Sequence, residues 1–172
     1  MLAAYDPTWP DRFREVAAEI RAATGEDWSI EHIGSTAVPD LAAKPIIDLA
    51  VRVNQLTDVD RRATDLARIG FLAIAAGPTT HRVRVRMAGG QRTHIAHFFP
   101  APQWEHCNQR LFRDWLLTHP ADRDRYEQVK RVVAAATDGG REYTARKTVF
   151  VQEIVNQARD TLGLPHVDVW DK

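Results

Sequence analysis

Apolar residues recur at helical spacing over residues 8–24, where Trp9, Phe13, Val16, Ile20 and Ala23 make one stripe. Thr8, followed three residues on by Asp11, reads as a capping pattern, and Gly25 as the stop. Ser29–Ile33 predicts a short strand that turns at Gly34-Ser35-Thr36 into a short helical piece. Residues 46–53 are mostly apolar and β-branched, the mark of a central strand, and Asp48 inside that run conflicts with core-building. Residues 58–69 repeat the helical pattern, with Val59, Ala63, Leu66 and Ile69 inward, Thr57 and Asp60 as the capping pair and Gly70 as the end.

A strand is expected at 71–75, then a turn at Gly77-Pro78. From His81 to Met87 the pattern alternates, with Val83, Val85 and Met87 on one face and Arg82, Arg84 and Arg86 on the other. Ala88-Gly-Gly-Gln91 predicts a hairpin connection, and 92–99 the returning strand. Beyond Pro100 the period becomes helical, with helices at about 102–118, 120–136 and 141–160. Pro120 suits the opening of the second, and Gly139-Gly140 separates it from the third. The order predicts one α+β domain: a small mixed sheet with flanking helices at 5–100, a three-helix segment at 101–160 and a tail at 161–172.

Composition narrows the function classes. Lys+Arg and Asp+Glu both number 23, so the chain lacks the basic excess that non-specific nucleic-acid binding uses to displace counterions. No apolar run has the length of a membrane span, and the start has neither the basic nor the apolar region of a signal peptide. With Cys107 as its one cysteine, the chain has no internal disulfide framework, and the expected setting is the cytoplasm. No Gly-x4-Gly-Lys phosphate loop, dinucleotide glycine fingerprint, His-Glu-x-x-His or Gly-x-Ser-x-Gly is present.

The residues that carry candidate chemistry gather between Ile30 and Leu49. Gly34 lets a backbone approach a ligand, free N–H groups at a helix start attract anions, and Ser35 and Thr36 add hydroxyls. Asp48 on the neighbouring strand would hold Mg²⁺ or Mn²⁺ against the same phosphates. The plain alternative is an ordinary turn beside a capped or solvated carboxylate. Glu31, His32 and His97 are further metal-ligand candidates, histidine favouring a transition metal, and each has a structural reading as a hydrogen-bonded group. Arg82, Arg84 and Arg86 form a row that either grips phosphates or lies solvated against carboxylates. Lys44 is a phosphate candidate or a surface lysine. Lys147 falls on the apolar stripe of its helix with Tyr143, Phe150, Val151 and Ile154, where it must snorkel or meet an anion. Arg113, Tyr126 and Lys130 are weaker candidates of the same kind, and Cys107 reads as core.

Three stretches together resemble the GrpB family: Tyr5-Asp-Pro-Thr-Trp-Pro10, Ile30-Glu-His-Ile-Gly-Ser-Thr-Ala-Val-Pro39 and Ala43-Lys-Pro-Ile-Ile-Asp48. Arg92-Thr-His94 with His97, Phe112-Arg-Asp114 with His119-Pro120, and Tyr143 with Lys147 and Phe150 extend the similarity over residues 5–158. The resemblance implies a nucleotidyltransferase-type fold. It implies a site in which Gly34 and Ser35 bind nucleotide phosphates, Asp48 binds the metal, and Lys147 and Tyr143 approach from a helix. The superfamily's usual Asp-x-Asp/Glu pair is broken here, since Ala50 stands in the second position. Asp40 stands where the family often has Gly, and Ile95 where a second histidine of the later strand would stand. The leading expectation is metal-dependent transfer of a nucleotidyl group, from ATP or another NTP, to a small-molecule or protein acceptor. An adenylate-forming ligase is a variant of it. The alternatives are a degenerate module that binds nucleotide or a phosphorylated ligand without turnover, and a protein-interaction partner.

Overall fold

The computed structural model describes residues 2–75, 77–135 and 141–169, apart from the side chains of 133 and 141–146. Its elements are α1 (Trp9–Thr24), β1 (Ser29–Ile33), a 3-10 turn (Ser35–Ala37), β2 (Ile47–Val53), α2 (Leu56–Arg61), α3 (Ala63–Arg68) and β3 (Leu72–Ala73). There follow β4 (Arg82–Ala88), β5 (Gln91–Pro100), a 3-10 segment (Ala101–His106), α4 (Asn108–Thr118), α5 (Pro120–Ala135) and α6 (Arg141–Thr161). The strands form one mixed sheet in the order β1-β2-β5-β4-β3, in which β2 and β5 run parallel and the other neighbours antiparallel. The α+β class holds. The expected break at Gly139-Gly140 lies outside the described residues.

Pairing register sorts every strand residue onto one of two faces, because side chains alternate along a strand. Ile30, Ile47, Leu49, Val51, Val53, Ala96 and Phe98 share the back face, where α1, α2 and α3 cover them in the largest hydrophobic cluster. Leu49, Val51 and Phe98 are fully buried there. The front face carries Glu31, Ile33, Asp48, Ala50, Ile95, His97, Phe99, Val83 and Val85. Ile33, Ala50 and Phe99 pack there with Trp104 and Cys107 in a small cluster. A third cluster joins α4, α5 and α6 to the Val38–Leu41 loop, with the Tyr126 and Phe150 rings stacked 5.3 Å apart.

Several local expectations are corrected. Thr8 does not cap α1 through Asp11; its N–H and hydroxyl donate to Asp6 at 2.8 and 2.7 Å. The helix expected at 58–69 begins earlier and splits at Arg62, whose guanidinium is held by Glu26. Its capping box is formed by Gln55 and Asp58, while Asp60 pairs with Arg82. The strand expected at 71–75 shrinks to Leu72–Ala73, and the first C-terminal helix breaks at Cys107 between a 3-10 segment and α4.

Asp40 has φ 64, a left-handed conformation that costs an L-residue free energy and a glycine little. Its side chain is exposed, 3.9 Å from Arg123, which returns little stability. Asp40→Gly is therefore expected to stabilise the protein by about 0.5–1 kcal/mol, read from urea unfolding midpoints at constant m. A loss of stability would contradict the backbone argument.

Candidate functional site

Asp48 lies near the start of β2, with Ile33 of β1 on one side and Ile95 of β5 on the other. The Gly34 turn folds directly over it. Gly34 has φ 72, and a Cβ built there would collide with Asp48 Oδ2 and approach its Cβ and Cγ to 3.0 Å. Glycine at 34 is thus required twice, by the left-handed backbone and by the carboxylate beneath it. Burial pushes the Asp48 carboxyl up to about 7, against the pull of the Lys147 ammonium, which faces it from α6. Lys147 is half-buried, one turn from buried Phe150 and two from buried Ile154, so it lies on the stripe the sequence predicts.

A second lysine stands behind the first. Lys130 of α5 is buried, donates to the Ala42 carbonyl and lies 4.6 Å from the centre of the Tyr126 ring. Burial pushes its ammonium down to about 7, and the charge of Lys147 adds to that. Asp48, Gly34, Lys147 and Lys130 are therefore drawn together from β2, the turn, α6 and α5.

Other candidates have different duties. Glu31 is on the same face as Asp48, but Arg110 meets both its oxygens, at 3.0 and 2.9 Å, and Arg113 meets one of them at 2.7 Å. Burial raises the Glu31 carboxyl, and these bonds outweigh it, holding the group below the usual range. Glu31 thus anchors α4 to β1 rather than ligating a metal, and Arg113, which also donates to the His32 carbonyl at 2.7 Å, is consumed in the same anchor. Thr36 is buried and donates to the Ile46 carbonyl at 3.1 Å, with His32 Nε2 3.0 Å from its hydroxyl, so it fixes the turn instead of reaching a phosphate. His32 pairs with Leu49 and faces backward, stacked on Phe13. The helical piece after Gly34 is one 3-10 turn of three residues, too short for the helix dipole expected at that point.

The arginine row is also corrected. Arg82, Arg84 and Arg86 pair with Phe98, Ala96 and His94, which places them on the back face, away from Asp48. Arg82 bonds Asp60 and Arg86 bonds Glu19, while Arg84 is buried. Lys44 is exposed on the loop before β2. Tyr143 lies on α6 among the side chains outside the described set. His97 does face forward, but its Nδ1 is 3.1 Å from Nε2 of His81, and burial pushes its imidazole down to about 3, with His81 adding to the effect. Sequence reasoning missed His81 as a site residue, because only the β4–β5 pairing brings it diagonally to His97.

The donor set does not fit the two-metal arrangement implied for the fold. The second carboxylate position is Ala50, the residue opposite Asp48 is Ile95, Glu31 is held by arginines and His97 by His81. Among the described residues no three His, Cys, Asp or Glu side chains gather as a metal-ligand group.

A mixed sheet entered by a Gly-Ser turn, with a carboxylate on the next strand, defines the nucleotidyltransferase-type fold. A terminal uridylyl transferase of Trypanosoma brucei, solved with bound dUTP, superposes with a TM-score of 0.57 at 16% identity, over 96% of this chain and 59% of that one. The chain belongs to the GrpB family, whose model, described as GrpB protein, matches residues 1–157. The crystal structure of the conserved GrpB protein of Enterococcus faecalis matches with a TM-score of 0.83 and 30% identity, over 95% of this chain and 99% of that one. A UPF0157 protein of Halalkalibacterium halodurans is 36% identical over 162 residues, 93% of this chain and 83% of the relative.

The contact between Gly34 and Asp48 gives a test. Gly34→Ala is expected to cost on the order of 2–4 kcal/mol, and Gly25→Ala, at φ 68 with nothing within 4 Å of the added Cβ, about 1 kcal/mol. Adding Asp48→Ala should recover part of the Gly34→Ala loss in a double-mutant cycle. Equal costs at the two glycines would show that the carboxylate does not crowd the turn.

Proposed function

We propose that this chain binds a nucleotide, or another ligand carrying phosphates, at the Gly34 turn, and that it does not carry out two-metal nucleotidyl transfer with its own residues. The observation that carries the reading is Asp48 beneath the Gly34 backbone, its carboxyl drawn down by the charge of Lys147. Lys147 supplies the charge for phosphate oxygens, as a point donor on a long stem. Lys130 strengthens the local positive field from behind. Asp48, protonated over half of the time below pH 7, donates a hydrogen bond to a phosphate oxygen in that state and repels the phosphate when ionised.

The sequence favours transfer to an acceptor with Mg²⁺ or Mn²⁺ at Asp48. That reading needs a further ligand from the nucleotide, an acceptor or a partner, because Ala50 and Ile95 offer none. Binding without turnover uses only what the site already contains.

Isothermal titration calorimetry with ATP and GTP in EDTA tests the reading. Wild type is expected to bind, and Lys147→Ala to lose roughly tenfold or more in affinity, as befits a charge-assisted bond. Asp48→Asn should bind at least as tightly. Because the raised Asp48 carboxyl takes up its proton as pH falls through about 7, wild-type affinity should rise from pH 8 to pH 6.5, while Asp48→Asn follows only the ligand's own titration. Metal-dependent pyrophosphate release abolished by Asp48→Asn would establish transfer instead. An absence of binding to either nucleotide would overturn the reading.

A further inference from the structure

A cavity of about 900 Å³ lies beside the Asp48 site and on the same sheet face. Its floor is Val83, Val85, Ile95, His97 and Phe99, with His81 at one end. Pairing places Ile95 directly beside Asp48, and His97 two residues further along the same strand. The cavity therefore begins on the strand next to the one that bears Asp48, roughly 5 Å away backbone to backbone.

Its chemistry differs from that of the Asp48 site. Val83, Val85 and Ile95 are half-buried, so they present apolar surface to the cavity. His81 stacks on Phe99 at 4.5 Å and 26°, and the His97 ring lies nearly parallel to Phe99 at 11°. The charged lining residues are at the rim, as with exposed Arg92 and Asp168, or tied down. Arg159 donates to the carbonyls of Pro165 and His106 and to Asn108. At the floor, burial pushes the His97 imidazole down to about 3, so it is neutral there. A phosphate here would find no free cation on the floor.

His97 fixes the polar requirement. Its ring lines the cavity and its Nδ1 is engaged with His81, so among the described residues Nε2 is the ring nitrogen without a protein partner. In one tautomer Nε2 donates and in the other it accepts. A ligand ring bearing both donors and acceptors on its edge satisfies either state. An aliphatic or hydrocarbon ligand would leave the nitrogen unpaired.

We infer that this cavity is the subsite for an uncharged planar heteroaromatic ring, the base of the nucleotide whose phosphates lie at Gly34 and Lys147. The ring packs on the Val83–Ile95–Phe99 floor, with an edge atom hydrogen-bonded to His97 Nε2, and the ribose spans the step past Ile95. This rests on the phosphate-binding reading above, since the cavity itself recognises only the ring. Base contacts by stacking and one hydrogen bond predict weak binding of a free nucleoside and a preference for the larger purine surface.

Calorimetry with adenosine, uridine, ATP and inorganic triphosphate, on wild type, Val83→Trp, His97→Phe and Lys147→Ala, separates the two subsites. Adenosine should bind wild type at millimolar concentration, more tightly than uridine. Val83→Trp, which fills the cavity from its floor, should weaken adenosine and ATP roughly tenfold and leave inorganic triphosphate unchanged. His97→Phe keeps the ring surface and should weaken adenosine roughly fivefold. Lys147→Ala should act on ATP and triphosphate and spare adenosine. Thermal unfolding checks that each variant is folded, and ¹⁵N shifts of β4 and β5 locate adenosine should Val83→Trp unfold. Adenosine binding that ignores both Val83→Trp and His97→Phe, or shifts confined elsewhere, would overturn the base subsite. So would ATP binding that depends on Lys147 while adenosine fails to bind, and that result would leave the phosphate reading standing. Adenosine binding without any triphosphate binding would overturn the phosphate reading and keep the ring cavity.

Discussion

A carboxylate near the start of an inner strand, roofed by a glycine turn and faced by a lysine, sets the terms for the rest of the molecule. Asp48 is half-buried on the front face of β2, whose back-face residues Ile47, Leu49 and Val51 are fully buried. Burial penalises the ionised form, and Lys147 returns part of that penalty. The turn can cross so close only because residue 34 has no Cβ. The helical segment is needed for the same reason, since α6 brings Lys147 to the sheet face and α5 brings Lys130 behind it. Core and C-terminal helices thus form one unit around the site.

The two sheet faces divide the labour. Behind, α1, α2 and α3 cover an almost wholly apolar surface, and the arginines of β4 reach its margin to pair with Asp60 and Glu19. In front, the polar residues are few and most have an assigned structural partner. Glu31 ties α4 to β1 through two arginines, which costs less than leaving any of the three charges buried and unpaired. His97 is paired to His81. The proposed ligand site is the Asp48–Lys147 region together with the cavity beside it. This distribution, more than the family's usual chemistry, argues for recognition of a ligand with a charged end and a flat neutral end.

Much of the architecture was legible in the sequence. The 3.6 and 2.0 periods located α1, β1, β2, β4, β5 and the three C-terminal helices, because each buries one continuous stripe or face. Lys147 was legible as an inward lysine for the same reason. Short elements were not: Leu72–Ala73 is too brief to carry a period, and the split at Arg62 interrupts a run whose apolar spacing continues across it. Capping went astray where two polar patterns compete, as Asp6 with Asp11 and Gln55 with Thr57. The site residues went astray for a topological reason. Alternation separates Arg82, Arg84 and Arg86 from Val83 and Val85, but which set faces Asp48 is fixed by register with β5, which no single strand encodes. Glu31 shares a sheet face with Asp48, yet Arg110 and Arg113, some eighty residues on, hold both its oxygens.

The most direct test of this account is the titration of the Asp48 carboxyl itself, followed by its ¹³C resonance in wild type and in Lys147→Ala. The account predicts a midpoint near 7 in wild type, and a higher one when the lysine is removed, since its charge holds the carboxyl down. A midpoint in the ordinary carboxylate range, indifferent to Lys147, would mean that Asp48 is solvated and unpaired, and the site described here would lose its foundation.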